Sequence, residues 1–262
     1  MLLPLGSGGA TVLDVLIDRV RGATFAETIV VATTTDAADD PIAAIAARAR
    51  VGCVRGHATD LLDRHYAAAI AFGARHVVKI PSDCPLIDPS VIDEVIAWYL
   101  ARTDRLDYAS NLHPPTHPDG NDVEIMKMKT LAIAWREARR PFEREHTTPF
   151  VWTRPDRFRV GNVVWPMGDF SRTHRVVLDY REDYEVIRAV YDALAPSNPR
   201  FSALDVVRFL DANPDVAAIN ASRIGTAWYN AHRAELPGLD GPSASSAPSS
   251  SPGPSSNELR AR

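Results

Sequence analysis

The chain has only two cysteines among its 262 residues, Cys53 and Cys84. Two cysteines are too few for a disulfide scaffold, and their spacing is not that of paired metal ligands. This usage favours a reducing compartment, so we expect a cytoplasmic protein. The formal net charge of −4 at pH 7 excludes a strongly basic chain. Nucleic acid is therefore not expected as a partner.

Long apolar runs are also missing. No stretch of 18 apolar residues occurs, and the start at Met1 carries no basic region of the kind that opens a signal peptide. We therefore expect no membrane span. With 45% hydrophobic residues, the chain can bury the core of one domain, which we place at 1–235. Residues 236–262 are mostly Pro, Ser and Gly, and we expect a disordered tail because so few apolar groups cannot offset the ordering entropy.

Strand-like and helix-like segments alternate through the first hundred residues. The pattern predicts helices at 11–20, 41–50, 60–72 and 89–100, with strands at 28–32, 51–54 and 76–80. Strands separated by helices of about a dozen residues favour β-α-β units and a parallel sheet. Further strands are predicted at 106–110, 122–126, 158–165 and 174–178, and further helices at 130–139 and 182–194.

The stretch from 76 to 88, H-V-V-K-I-P-S-D-C-P-L-I-D, is the most informative in the chain. It places Asp83 beyond the carboxyl end of a predicted buried strand, where ligands bind in open α/β sheets. A carboxylate there can hold a metal ion against a phosphate-bearing substrate. Aspartate is also common in turns and at helix N-caps. We assign Asp88, which precedes Pro89, to capping and keep Asp83 as a candidate ligand.

Asp179 has the same relation to the predicted strand at 174–178, which ends just before it. If the two strands are neighbours, Asp83 and Asp179 would bind Mg²⁺ and orient a nucleoside triphosphate. Such chemistry needs mainly charge neutralisation and alignment from the protein. Spacing alone does not establish that the strands are adjacent.

Two further clusters carry charge. Asp119, Asp122 and Glu124 surround a Gly turn, which suits either a polar rim for a hydroxylated substrate or a solvated hairpin turn. Arg144 and His146 lie just before a proline and an aromatic segment. They are candidates for holding an anionic substrate, although surface salt bridges on a helix would give the same pattern.

A series of motifs occurs in order along the chain and resembles a known family. The motifs are V-A-T-T at 31–34, D-D-P-I at 39–42, V-R-G at 54–56 with D-L-L-D-R-H-Y at 60–66, S-D-C-P-L-I-D-P at 82–89, Y-x-S-N at 108–111, P-D-G-N-D-V-E at 118–124, E-R-E-H-T-T-P-F at 143–150 and L-D-Y-R-E-D-Y at 178–184. Together they resemble the cytidylyltransferases of the spore-coat polysaccharide type, relatives of the acylneuraminate and ketodeoxyoctulosonate cytidylyltransferases. The resemblance spans roughly 1–195.

The resemblance implies an α/β fold with a Rossmann-like mixed sheet of the nucleotide-diphospho-sugar transferase type. It implies that CMP is transferred from CTP to a sugar acid, nonulosonic or related, for surface polysaccharide synthesis, with release of pyrophosphate. Mg²⁺ is the implied cofactor, and Asp83 and Asp179 would be its ligands. The other implied site residues are Arg55, Asp60 and Arg64 near the nucleotide or sugar, and Asp119, Asp122, Glu124, Arg144 and His146 on the acceptor side.

The chain departs from the family pattern at its start. The family opens with a strand and a basic Gly-rich loop, R-x-G-S-x-R-L-P-G-K, whose amides and cations cradle the triphosphate. Here the G-S-G-G at 6–9 carries no Lys or Arg. We therefore expect a sheet that lacks its first strand and loop, either because the true start lies upstream or because the chain is truncated. Ser82 also stands where the family commonly has Gly.

Two other functions stay open at this stage. One is a non-catalytic binding or scaffold protein that has lost CTP binding. The other is a glycosyltransferase of similar fold, although those sites usually carry paired acids as D-x-D, which S-D-C-P lacks. Relatives are often homodimers, and Trp152, Trp165 and Trp228 are candidates for an interface, although aromatic side chains more often belong to a core.

Overall fold

The computed structural model describes residues 1–6 and 8–225. Within these residues, six strands and ten α-helices alternate. In chain order they are α1 (Val12–Arg21), β1 (Val30–Thr34), α2 (Asp40–Ala49), β2 (Gly52–Gly56), α3 (Leu61–Ala71), β3 (His76–Lys79), α4 (Pro89–Leu100), β4 (Tyr108–Ser110), β5 (Glu124–Lys127), α5 (Met128–Glu137), α6 (Pro141–His146), α7 (Pro149–Trp152), β6 (Val160–Asn162), α8 (Arg181–Leu194), α9 (Ala203–Ala212) and α10 (Pro214–Ala218). Short 3₁₀ turns lie at Ala37–Asp39 and Ala221–Arg223.

The strands form two sheets in the described part of the chain. β1 and β2 pair in parallel, with Val30 opposite Gly52. The second sheet has the order β3-β5-β4-β6, in which β5 is antiparallel to both neighbours and β4 is parallel to β6. This mixed α/β architecture confirms the predicted fold class. No described strand joins β1 to β3, so the strands of the described residues form two separate sheets.

The split leaves β1 and β3 each with one edge that has no strand partner among the described residues. Val31, Val78 and Ile80 pack against the main core but stay half-buried, whereas all three residues of β4 are buried. The strand before Asp83 is therefore half-buried, whereas the sequence pattern predicted a buried one. The apolar composition of β3 is that of a central strand, but one of its edges lacks a neighbour that would cover it.

Side-chain packing links the two sheets. The main core cluster includes Leu16 of α1, Ile92 of α4 and Ile125 of β5, and Val31 of β1 packs against it. Two further clusters lie beneath α8 and α9 and beneath α3 and α5. No helix in the described residues is long and apolar enough to cross a bilayer.

Asp88 fixes the start of α4, as predicted. Its Oδ1 accepts a hydrogen bond from Ser90 N at 2.8 Å, and its Oδ2 accepts one from Ala203 N at 2.7 Å. Its own amide donates to Asn121 Oδ1 at 3.0 Å. The residue that caps α4 thus also anchors the loop that carries Asp119 and Asp122, because its amide donates to Asn121 of that loop.

The segment 174–178 is not a strand of either sheet, so that prediction was wrong. Its backbone pairs instead with loops: Val176 N donates to Asp119 O at 2.8 Å, and Leu178 N donates to Asp83 O at 2.8 Å. Val176 and Val177 are still buried, because the loop backbones cover them as a strand would. The strand predicted at 158–165 is likewise shorter, at Val160–Asn162.

Two of the tryptophans considered for an interface are placed. Trp165 is buried and packs edge-on against Phe170, and Trp152 lies 4.2 Å from the His113 ring between centroids. Trp165 therefore belongs to the core. Trp228 and the predicted tail at 236–262 lie outside the described residues.

Candidate active site

Asp83 and Asp179 are brought together by one backbone contact. Leu178 N donates to Asp83 O at 2.8 Å, so the residue before Asp179 is tied directly to Asp83. Burial raises the pKa of Asp83, and the negative charge of Asp179 raises it further. Two carboxylates that repel each other in this way are suited to share a divalent cation.

Arg175 is a buried hub that sequence reasoning missed. Its guanidinium donates to Asp179 Oδ2 at 2.7 Å, to Asp119 Oδ2 at 3.0 Å and to both carboxylate oxygens of Asp183 at 2.9 Å. Burial alone would lower the pKa of Arg175, but the hydrogen bonds to Asp183 and Asp179 raise it overall. Asn220 Nδ2 adds a bond to Asp183 at 2.9 Å. One cation therefore orients three carboxylates.

The loop that carries Asp119 and Asp122 folds back over Arg175. Gly120 has φ +107°, and a Cβ there would lie 2.7 Å from the carbonyl carbon of Val176, so only glycine fits the turn. Burial raises the pKa of Asp119 to about 6, although Arg175 opposes the shift. Burial also raises the pKa of Asp122 well above its usual range, and the charges of Asp119 and Asp83 add to this. Asp119 and Asp122 thus lie within the electrostatic reach of Asp83.

Glu124 lies beneath the site rather than on its surface. It faces Lys79 across the β3–β5 pair, and Lys79 Nζ lies 2.5 Å from its Oε1. Tyr108 donates its hydroxyl to Oε2 at 2.6 Å. Burial would raise the pKa of Glu124, but Lys79 lowers it overall. Glu124 is therefore a paired, ionised carboxylate in the interior.

Asp60 and Arg144 lie 84 residues apart in the chain but form an ion pair. Arg144 Nε and Nη2 donate to Asp60 Oδ2 at 2.8 and 2.5 Å, and Nη1 donates to Trp135 O at 2.6 Å. Asp60 Oδ1 caps α3 by accepting from Asp63 N at 2.8 Å. His146 is the last residue of α6 and lies two residues beyond Arg144. The structure thus connects the segment that contains Arg144 and His146 with the start of α3.

Arg55 and Arg64 lie on consecutive elements, strand β2 and helix α3. Arg55 lies on β2, donates to the carbonyls of Thr34 and Asp36 at 2.8 and 2.7 Å, and pairs with Asp40 at 2.7 Å. Arg64 lies on α3 and is 91% buried, since its exposed fraction is 9%. The two arginines therefore differ in their surroundings, although β2 and α3 follow each other directly in the chain.

The residues that sequence reasoning missed share one signal. Lys79 and Arg175 are single cations inside apolar runs, H-V-V-K-I and R-V-V-L. A charge in such a run is costly unless an opposite charge is buried with it. Their acidic partners lie 45 residues away for Lys79 and 4, 8 and 56 residues away for Arg175.

Asp83 and Asp179 carry oxygen donors of the type that divalent cations take in proteins. Among the described residues, no three His, Cys, Asp or Glu side chains form a ready-made set of metal ligands. Mg²⁺ is commonly held by one or two carboxylates, with water and substrate phosphates as the other ligands. A pair of carboxylates is the number of protein ligands which that mode of binding requires.

Comparison with known proteins decides the family. Residues 2–201 match the profile of the cytidylyltransferase family. The chain belongs to the cytidylyltransferase family. This confirms the resemblance given by the sequence motifs.

The chain is also similar to individual proteins along most of its length. The spore coat polysaccharide biosynthesis protein SpsF of Bacillus subtilis is 28% identical over 221 residues, which cover 83% of this chain and 89% of that protein. An uncharacterised protein of Methanocaldococcus jannaschii is 27% identical over 222 residues, with 85% and 88% covered. The structure of a cytidylyltransferase from Leptospira borgpetersenii superposes with a TM-score of 0.77 at 29% identity, and the match covers 82% of this chain and 88% of that chain.

Proposed function

We propose that this cytidylyltransferase transfers CMP from CTP to a sugar acid and releases pyrophosphate, as a step of surface polysaccharide synthesis. A hydroxyl of the sugar attacks the α-phosphate of CTP, a bond forms between that oxygen and phosphorus, and the bond to pyrophosphate breaks. Family membership supports nucleotidyl transfer in general. The observation that carries the proposal is the contact between Leu178 N and Asp83 O, which joins the two aspartates.

In this proposal, Asp83 and Asp179 hold Mg²⁺, which when bound neutralises charge on the phosphates. Arg175 keeps Asp179 in place through its 2.7 Å hydrogen bond. Asp119, whose pKa burial raises to about 6, is suited to accept the proton of the attacking hydroxyl near neutral pH. Asp122, Arg144 and His146 line the acceptor side, and Glu124 supports them from beneath.

Pyrophosphate release tests the proposal. The full chain is incubated with CTP, with and without Mg²⁺, and with sugar acids or the matching neutral sugars. Asp83→Asn is expected to lower the rate at least about a hundredfold, as loss of a group that stabilises transition-state charge does. The exposed Asp156 gives the matched control, and Asp156→Asn should leave the rate unchanged. An Asp83→Asn variant with the circular dichroism and the rate of the wild type would refute the metal assignment, and turnover of neutral sugars alone would refute the acceptor class.

A further inference from the structure

Five lysine and arginine side chains belong to the candidate site, and four of them are committed to partners. Lys79 pairs with Glu124, Arg144 with Asp60, and Arg175 with Asp119, Asp179 and Asp183, while Arg55 donates to two carbonyls and pairs with Asp40. A cation bound in this way contributes little to holding a substrate anion. The fifth cation, Arg64, is different.

Arg64 is 91% buried, yet within residues 1–6 and 8–225 none of its nitrogens takes part in a hydrogen bond or ion pair. Its Nε is inaccessible to solvent and has no partner. An unpaired buried guanidinium is costly, and native proteins keep such a group only where something compensates it. Burial accordingly lowers the pKa of Arg64.

The acids that attract Arg64 are Asp39 and Asp60, and both have other partners. Asp39 Oδ2 accepts from Thr33 Oγ1 at 2.8 Å, from Thr34 N at 3.1 Å and from Thr34 Oγ1 at 2.5 Å. Asp60 Oδ2 accepts hydrogen bonds from Nε and Nη2 of Arg144. Both carboxylates therefore have hydrogen bonds that do not involve Arg64.

The position of Arg64 is that of a ligand site. Its Cγ would lie 3.0 Å from a Cβ at Gly56, so its stem rests on the last residue of β2. Thr33, which holds Asp39, is the fourth of the five residues of β1. Arg64 is thus at the carboxyl ends of two parallel strands, where open α/β sheets bind their ligands.

We infer that Arg64 is the oxyanion receptor of this site, which binds a phosphate group of the nucleotide or the carboxylate of the sugar acid through its guanidinium fork. The inference rests on the proposed function for the identity of these two ligands. Phosphate and carboxylate share the planar pair of acceptor oxygens that arginine binds in a bidentate manner. An uncommitted buried cation is what an anionic ligand needs at such a position.

Anion-dependent stabilisation of the full chain tests this without requiring turnover. A ligand that binds only the folded state raises Tm. Millimolar inorganic pyrophosphate, or D-glucuronate as a carboxylate probe with glucose as its neutral counterpart, is expected to raise the Tm of the wild type. The shift should vanish in Arg64→Met and be reduced in Arg64→Lys, which keeps the charge but loses the fork. Arg208 has a side chain 70% exposed on α9, and Arg208→Met should behave as the wild type.

The two probes separate the two sources of the anion. A shift with pyrophosphate alone assigns Arg64 to the nucleotide, and then Arg64→Met should weaken CTP binding at least about tenfold, which corresponds to 1.4 kcal/mol. A shift with glucuronate alone assigns it to the acceptor, and then the KM for the sugar acid should rise while that for CTP is unchanged. Equal shifts in the wild type and Arg64→Met, or no shift in the wild type with either anion, would overturn the inference.

A structural role for Arg64 predicts a different result. If the guanidinium merely supported the fold, Arg64→Met would lower the Tm of the ligand-free chain. Because it has no bond to lose in the described structure, we expect that Tm to stay the same or to rise. Absence of turnover in the wild type, with anion shifts that still depend on Arg64, would refute the proposed function and leave the receptor in place.

Discussion

Lys79 and Glu124 lie directly opposite each other on antiparallel strands, and their side chains form a 2.5 Å ion pair in the protein interior. Glu124 is 2% exposed, and Tyr108 binds its second oxygen at 2.6 Å. The pair joins β3, which precedes Asp83, to β5, which follows the acidic loop. The floor of the site is therefore fixed by one cation and one anion.

Lys79→Met is expected to lower the free energy of unfolding by about 3 to 5 kcal/mol, because it leaves the Glu124 carboxylate buried and unpaired. Urea unfolding followed by circular dichroism measures this. Lys129 is exposed on α5 and serves as the matched control, so Lys129→Met should change the free energy by less than about 0.5 kcal/mol. Lys79→Met combined with Glu124→Gln should recover part of the loss, and a double variant no more stable than Lys79→Met would contradict this account.

Gly120→Ala is expected to be more damaging than Gly73→Ala, although both glycines have positive φ. Gly73 has φ +61° with open space around it, so its replacement should cost about 1 kcal/mol of backbone strain. At Gly120, φ is +107° and the added Cβ would also meet the Val176 backbone at 2.7 Å. The contact between Asp119 and Val176 should then open. A comparison of the two variants by thermal unfolding tests this, and equal losses would show that the close approach is unimportant.

Arg175→Lys is expected to destabilise the fold although it keeps the positive charge. A lysine ammonium cannot reproduce the fork that binds Asp183 twice while it also reaches Asp119 and Asp179. We expect a loss of about 2 to 4 kcal/mol, and a larger one for Arg175→Met. Guanidinium titration of the three proteins gives the order. If Arg175→Lys had the stability of the wild type, the hub would depend on charge alone.

The contribution of buried His117 to stability should rise between about pH 4 and pH 6.5. Burial lowers the pKa of His117 from 6.5 to about 4, so in this window the unfolded chain binds the proton and the folded chain does not. Since the unfolded state holds more protons there, the free energy of unfolding increases with pH. His117→Phe should make this dependence less steep. Unfolding midpoints measured at several pH values test the prediction, and an unchanged slope would show that His117 titrates normally.

Local patterns were enough to predict six of the ten described α-helices and the capping role of Asp88. The turn at Asp88-Pro89 is set by neighbours in sequence, so α4 was predicted with its observed start and end. Segment 174–178 shows where local reasoning failed. Its apolar pattern reports burial of Val176 and Val177 correctly, but loop backbones rather than a strand provide the hydrogen bonds.

The candidate site could be predicted only in part, because it depends on long-range pairs. Asp83 and Asp179 were recognisable one at a time, but their proximity rests on a contact between residues 83 and 178. The partners of Lys79 and Arg144 lie 45 and 84 residues away, and no spacing rule relates them. Arg64 was named from the resemblance, whereas its lack of a partner follows only from where Asp39 and Asp60 direct their oxygens.

The split sheet divides the site as well as the fold. In the described residues, no backbone hydrogen bond joins the β1–β2 pair to the four-stranded sheet, so the two are connected by side-chain packing and helices. Arg64 packs against β2 of the two-stranded sheet, whereas Asp83 follows β3 of the four-stranded sheet. Elements without a shared ladder can open as separate cooperative units. A substrate that contacts both Arg64 and Asp83 would then hold the β1–β2 pair against the four-stranded sheet. The fraction of protein with bound substrate would set how often the two sheets separate.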